Sequence, residues 1–522
     1  MRRRMMLPAL LAAAFIANPA AAQRPAAPPP GLDGYVADVL RAFEVPGVAL
    51  TIVKDGAVVV ARGYGVRELG RAEPVDETTK FGIASNTKAF TATALALLVE
   101  EGRLEWDRPV IDYLPSFRLS DPFVTGELTV RDLLVHRSGL GLGAGDLLWW
   151  PESSYDRGEI VHRLRHIPLA TSFRSAYAYD NVLYLVAGEL IAAVSGQSWE
   201  DFVSARILGP LGMQQAAVRH SAALAGGNVA TPHAPVEGRV RPVRPFGSDN
   251  TNPAGGIMAG AADMAKWLLV QLDSGRIRGS ERRLFSARTA SELWTLVTPM
   301  PIRTPPPELA PLRSQFNGYA LGFQVRDYRG RKAVMHTGGL PGYVSRVIMI
   351  PEAKLGVAVL TNQESGEAFE AIAYRVVDHY LEAPAHDWLA AYRSVAERSR
   401  AQVAAAEQGA AAARDSLSGP LLPLAAYAGT YRDTWYGDIA VDARGDGLRI
   451  RFLPTASLEG ALVHWQHDTF LARWDDRELR ADAFVTFALN PDGTVRELSI
   501  VPASPAVDFS FDFQDLRPVR VR

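Results

Sequence analysis

Two strand-like runs, Val48 to Val53 and Ala57 to Arg62, flank Asp55-Gly56. This pattern predicts a hairpin, because an Asp-Gly turn matches the twist of the strands it joins. Ser85 to Glu101 reads as a helix, with Ser85 at its start and Gly102 just beyond its end. Its middle, Ala92 to Val99, is apolar on nearly every face, which predicts a central, buried position. A loop-rich region with further helices follows, including one over Val182 to Val194 closed by Ser195-Gly196. Beyond a Pro-rich loop, Pro301 to Pro311, come three strand-like runs: Tyr319 to Val325, Val344 to Ile350 and Leu355 to Leu360. An amphipathic helix over Glu367 to Leu381 follows them.

Strands at both ends with helices between them predict one sheet assembled from both termini around an inserted helical region. The fold class is thus α/β of the α+β type, an antiparallel sheet flanked by helices, over residues 35–384. Ala-rich sequence from Trp388 to Ala413 predicts a helical connector spanning 385–420. After Gly419-Pro420 the pattern shifts to short alternating strands with turns at Gly445-Asp446-Gly447 and Pro491-Asp492-Gly493. Residues 421–522 therefore read as a separate all-β domain, a small barrel or sandwich.

The start of the chain follows a different logic. Arg2, Arg3 and Arg4 precede a short apolar run, Leu7 to Ile16, and Ala20-Ala21-Ala22 supplies small residues before Gln23. Residues 1–22 are expected to be an export signal cleaved after Ala22, giving a periplasmic or secreted protein. A Pro/Ala tether over 23–34 comes next. The 522 residues carry a formal charge of −2, so no basic field exists to hold nucleic acid. Cysteine is absent. That excludes disulfides, thiolate metal sites, a cysteine nucleophile and a lipidated cysteine. Without a His-Glu-x-x-His pair or similar cluster, no metal is expected, and no cofactor either. Gly-x-Ser-x-Gly is missing too, which argues against an α/β-hydrolase.

Candidate chemistry begins with lysine, which is scarce. Of Lys54, Lys80, Lys88, Lys266, Lys332 and Lys354, Lys88 alone has a serine three residues before it. Residues i and i+3 share a helical face, so the Ser85 hydroxyl and the Lys88 amine can meet. A buried lysine near the positive end of a helix loses its proton readily, and serine needs such a neighbour to become a nucleophile. A helix-capping serine beside a solvated lysine fits the same letters. Tyr179-Asp180-Asn181, just before the Val182 helix, reads by itself as a capped turn. His336-Thr337-Gly338-Gly339 reads alone as a polar strand end. Gly139, Gly141, Gly143 and Gly145 lack dinucleotide spacing and predict a mobile loop. Trp149-Trp150 suits either a cleft for apolar side chains or ordinary packing. His136 reads as structural.

Taken together, these segments resemble the serine β-lactamase-like superfamily, in its class C β-lactamase, D-aminopeptidase and carboxylesterase branch. The resemblance runs from about Val48 to Leu381. It rests on Ser85-Asn86-Thr87-Lys88, the stretch Leu128 to Leu140, Tyr179-Asp180-Asn181, Asn252 to Gly256, and His336-Thr337-Gly338-Gly339. It implies that Ser85 attacks a carbonyl and carries the acyl group while Lys88 and Tyr179 share the base work, the cation drawing the Tyr179 phenol below its usual pKa. Asn181, His336, Thr337 and Gly338 would bind substrate. The backbone N–H groups of Ser85 and Gly339 would form an oxyanion hole, worth about 3 kcal/mol per donor. His336 stands where β-lactamases of this branch usually carry lysine. A histidine half-charged near pH 6.5 would hold a substrate carboxylate less firmly. The C-terminal β domain resembles the lipocalin-like appendage of some of these peptidases.

The resemblance therefore implies an exported peptidase or amidase, D-aminopeptidase-like, making an acyl-serine on short peptides. A carboxylesterase on small acyl esters, or a non-catalytic penicillin- or peptidoglycan-binding protein, remains the alternative. The expected partner is a small peptide, amide or ester, with no nucleic acid and no membrane span; a homo-oligomer is left open.

Overall fold

The computed structural model describes residues 26–521. The export signal expected over 1–22 lies outside the described residues. Helix α1, Leu32–Ala42, is followed by strands β1, Gly47–Lys54, and β2, Ala57–Gly65. α1 starts inside the stretch expected as tether, because Leu32, Val36 and Val39 bury one helical face against the sheet. The long apolar helix is α2, Lys88–Glu100; α3 is Val182–Ser195 and α4 is Ala261–Leu272.

The sheet is completed by β3, Thr298–Pro299; β4, Asn317–Tyr319; β5, Gln324–Tyr328; β6, Arg331–Leu340; β7, Tyr343–Ile350; and β8, Leu355–Thr361. Its order is β2-β1-β8-β7-β6-β5-β4-β3, and every pairing is antiparallel. The N-terminal hairpin thus joins strands from the far end of the same unit, with the helical region inserted between. Val48, Leu50 and Ile52 face a core shared with α1 and with α5, Gly366–Tyr380. Alternate residues Ala49 and Val53 face the opposite core, built on α2, α3 and α4. Strands buried on both faces carry apolar side chains at nearly every position, which is why β8 and, apart from Thr51, β1 read as apolar runs.

One strand-like run differs from expectation. The run Tyr319 to Val325 is split into β4 and β5 by a tight turn at Gly322, whose φ is +79°. A Cβ there would lie 2.7 Å from the Lys88 carbonyl, so the chain bends to rest against α2. His336 to Gly339 form the end of β6, which stops at Leu340, in keeping with the polar strand end read there.

Helix α6, Trp388–Ala412, leads away from the sheet and is anchored by the Trp388 indole, which donates to Asp378 at 2.9 Å. Eight strands then close a barrel: β9, Gly429–Asp433; β10, Gly437–Arg444; β11, Gly447–Phe452; β12, Glu459–Gln466; β13, Thr469–Trp474; β14, Ala483–Leu489; β15, Val495–Pro502; and β16, Val519–Arg520. Aromatic side chains fill its interior, with Tyr436 and Trp474 packing on Phe452 at centroid distances of 5.3 and 5.6 Å. Segment 503–518, between β15 and β16, leaves the barrel and packs against the first domain. Among the described residues no single helix is long and apolar enough to cross a membrane.

Candidate active site

Ser85 sits on a 3-10 turn, Ala84–Thr87, that runs directly into α2. Ala84 immediately before it holds a left-handed φ of +50°. An alanine there costs on the order of 1 kcal/mol or more, so neighbours must impose the conformation. They do: Ser345 donates to the Ile83 carbonyl at 2.7 Å, and Asn86 donates to Ser345 at 2.8 Å. Gly338 lets β6 lie flush against this turn, since a Cβ would stand 2.3 Å from the Ile83 carbonyl oxygen. From Phe81 to Leu98 every residue is buried except Ser85. The turn therefore presents one hydroxyl to the outside.

Behind it, the Lys88 ammonium is fully buried. Nζ lies 3.1 Å from Ser85 Oγ, 2.6 Å from Asn181 Oδ1 and 3.2 Å from the Ala254 carbonyl oxygen. Burial pulls its pKa down to about 7, against the opposing pull of Asp146 and Asp180. At neutral pH the amine is thus available as a base. In its neutral form it still donates twice, to Asn181 and Ala254, and its lone pair then faces the Ser85 hydroxyl. Ala254 belongs to the short helix Asn252–Gly255, so the Asn252 to Gly256 segment contributes a backbone oxygen rather than a side chain.

Tyr179 and Asn181 arrive from the loop that ends at the start of α3. The Tyr179 ring centroid is 4.9 Å from Lys88 Nζ. Burial nevertheless pushes the phenol well above its usual value, outweighing a hydrogen bond with Ser85. The expected lowering by a neighbouring cation does not occur, so Tyr179 keeps its proton. His136 stacks against Tyr179 and Tyr319 at centroid distances of 4.3 and 4.4 Å, and its Nδ1 accepts the Asp180 backbone N–H at 3.2 Å. Burial lowers its pKa and keeps it neutral. It packs the back of the Tyr179 loop.

His336, Thr337, Gly338 and Gly339 lie along β6 beyond Met335, where pairing with β5 ends. Thr337 and Gly339 are exposed while His336 and Gly338 are buried, the alternation of a strand. His336 Nε2 meets the Tyr319 hydroxyl at 2.6 Å and Nδ1 meets the Thr337 carbonyl. The carbonyl requires a proton on Nδ1, so Nε2 accepts from Tyr319. Burial, with Lys88 adding to it, drives the His336 pKa down to about 3. The half-charged carboxylate anchor expected here is therefore a neutral ring with both nitrogens occupied.

The second domain reaches this site through Phe509, Ser510, Phe511 and Asp512. Asp146, fully buried, accepts from Asn181 Nδ2 at 2.8 Å, from the Trp149 indole at 3.0 Å and from Ser510 Oγ at 2.8 Å. Asp512 accepts the backbone N–H groups of Gly145 and Leu147 at 2.7 and 3.0 Å. Burial raises both carboxyls, Asp146 to about 7 and Asp512 well above the ordinary range. The glycine-rich stretch expected to be mobile is instead largely buried and pinned from the far end of the chain. Phe509 sets its edge toward Tyr179 at 6.2 Å, and Phe511 does so toward Trp150 at 6.4 Å. Together the two domains enclose a cavity of about 860 Å³ with Ser85 in its lining, and Trp149, Trp150, Phe246 and Phe509 make much of its wall apolar.

Ser85, Lys88, Tyr179, Asn181 and His336 thus converge, while Asp146, Ser510, Asp512 and Tyr319 were not visible in the sequence. Among the described residues no group of three or more His, Asp or Glu side chains converges as a metal ion would require.

Comparison with known proteins fits this geometry. The Beta-lactamase family model matches residues 32–382, and the Domain of unknown function (DUF3471) model matches 413–520. The unguisins hydrolase of Aspergillus violaceofuscus is 29% identical over 507 residues, covering 89% of this chain and 86% of its own. An octameric penicillin-binding protein homologue from Pyrococcus abyssi superposes with a TM-score of 0.58 at 22% identity, over 94% of this chain and 99% of the other. A class C beta lactamase from Rhodobacter sphaeroides gives 0.54 at 21% identity, over 67% of this chain and 99% of the other. The last two establish likeness of fold.

Proposed function

Since the chain belongs to the beta-lactamase family and is a hydrolase of that family, we propose that it is an exported serine peptidase or amidase acting on short peptides with apolar side chains. One observation carries this reading: Lys88 Nζ is suspended between Ser85 Oγ, Asn181 Oδ1 and the Ala254 carbonyl, with its pKa near neutrality. The wall of Trp149, Trp150, Phe246 and Phe509 supports the apolar preference.

In this reading neutral Lys88 takes the Ser85 proton as Oγ bonds to the substrate carbonyl carbon. The oxyanion is held by the N–H groups of Ser85 and Gly339, while Asn181 and the β6 edge from His336 to Gly339 align the substrate backbone. The carbon–nitrogen bond then breaks. The proton on Lys88 passes through the Tyr179 hydroxyl to the departing amine, a role that suits a phenol which keeps its proton. Water next attacks the acyl carbon, its proton returns by the same route, and the released Ser85 is protonated again. Lys88 is the base and Tyr179 the relay. Without a fixed cation at His336, a β-lactam carboxylate has no strong anchor, so turnover of β-lactams is slow.

Labelling with a fluorophosphonate tests the reading, and Ser85→Ala should abolish it. A panel of L- and D-residue peptide amides beside matching esters then gives the substrate class. Ester turnover with no amide turnover would sink the peptidase assignment. Export belongs to the same proposal and is checked by sequencing the N-terminus of protein recovered outside the cytoplasm, expected at Gln23. Assembly into a homo-oligomer, supported by the octameric structural neighbour, is checked by light scattering.

A further inference from the structure

The two carboxyls buried beneath the cavity have no place in the reaction just described. Asp146 does not reach Ser85; it touches Asn181, and Asn181 touches Lys88. The order matters because an amide has two unlike ends. Were Nδ2 turned toward Lys88, two donors would face each other. Asp146 prevents this by accepting from Nδ2, which leaves Oδ1 pointing at the amine.

Its surroundings also decide what charge it carries. Trp149 Nε1 and Asn181 Nδ2 can only donate, so they favour the carboxylate. The Ser510 hydroxyl alone among its partners can donate to the carboxylate or accept from the acid. Burial opposes its ionisation, and Asp146 in turn raises the nearby Asp512. Asp146 heads the charges that hold protons on Lys88, ahead of Asp180. The other titratable groups around Lys88 are uncharged near neutrality: His136 and His336 are held neutral by burial, and Tyr179 and Tyr184 keep their phenol protons. Asp180 is turned toward His136 and Ser138.

Resting on the acyl-serine reading above, we propose that Asp146 is a positioning residue for the reaction. Through the Asn181 amide it orients Lys88 and sets the pH at which Lys88 activates Ser85, and Ser510 of the barrel domain completes that carboxyl. The base is in this way tuned from both domains at once.

The test is the rate of Ser85 modification by a fluorophosphonate across pH, on the full chain. Wild type should show a rate rising through about pH 7 as Lys88 loses its proton. Asp146→Asn removes the negative charge, weakens the hold on the Lys88 proton, and should move that rise about one unit lower. Ser510→Ala removes a donor, leaves the carboxyl less ionised, and should move the rise in the same direction by less. A residue with only a structural role would lower the plateau without moving the rise. If the rise stays at the wild-type pH in both variants, the inference fails while the acyl-serine reading stands. If Asp146→Asn does not fold by thermal unfolding, Ser510→Ala decides alone, and an unmoved rise overturns the inference. Absence of Ser85 labelling at every pH overturns the acyl-serine reading and this inference with it.

Discussion

Lys88, behind Ser85, and His336, in the cavity wall, are both buried and both drawn toward neutrality, yet their pKa values end far apart. Burial is the main cause for each, taking Lys88 to about 7 and His336 to about 3. Their neighbours make them differ in use. Lys88 has Asp146 and Asp180 nearby to return part of the charge that burial removes. His336 has Lys88 and Arg346, which drive it further down, and its ring is locked between Tyr319 and the Thr337 carbonyl. Neighbouring acids hold the buried amine near neutrality, whereas neighbouring cations carry the buried imidazole well below it. Beneath Ser85 the structure keeps a group that can change its protonation, and in the cavity wall a group that cannot.

The most damaging way to probe this contrast is at the floor. Lys88→Ala should slow acylation about a thousandfold or more, measured as the second-order rate of fluorophosphonate labelling. Tyr179→Phe should follow at about a hundredfold, with the loss concentrated in kcat for amides, whose leaving group needs a proton, and smaller for activated esters. Asp512→Ala leaves the Gly145 and Leu147 N–H groups without acceptors, at about 1–3 kcal/mol for each group. Differential scanning calorimetry should record a melting temperature several degrees lower. His336→Gln is expected to cost least, about fivefold in kcat/KM, the equivalent of about one hydrogen bond. For the same reason the kcat/KM profile should show the Lys88 rise near pH 7 and no inflection from His336 between about pH 5 and 8. A second inflection that vanished in His336→Gln would erase the contrast between the two sides.

How much of this was readable in the letters depends on distance along the chain. Ser85 and Lys88 share a helical turn, and the apolar run behind them announces a buried helix, so their meeting follows from local geometry. The sheet was legible where both faces are buried, as in β1 and β8, since such strands need no alternation to be recognised. It was misread where tertiary contact overrode local pattern: Gly322 bends the chain to rest on the Lys88 carbonyl. Asp146 and Ser510 stand 364 positions apart, and each sits in an ordinary-looking turn. Nothing near either one marks it. Likewise, a cation-lowered phenol at Tyr179 and a free-solution value at His336 both misjudged the site, because desolvation depends on packing that only the folded chain supplies.

Segment 503–518 also has a bearing on how the protein is made. A ribosome could release enough chain to fold the sheet, Ser85 and Lys88 long before Ser510 and Asp512 are synthesised. Until then the Asp146 carboxyl lacks its third donor and the loop beneath it is unpinned. The growing polypeptide would carry its reactive hydroxyl above a loop not yet fixed. The loop beneath the site is therefore held in place only once residues 510–512 have emerged.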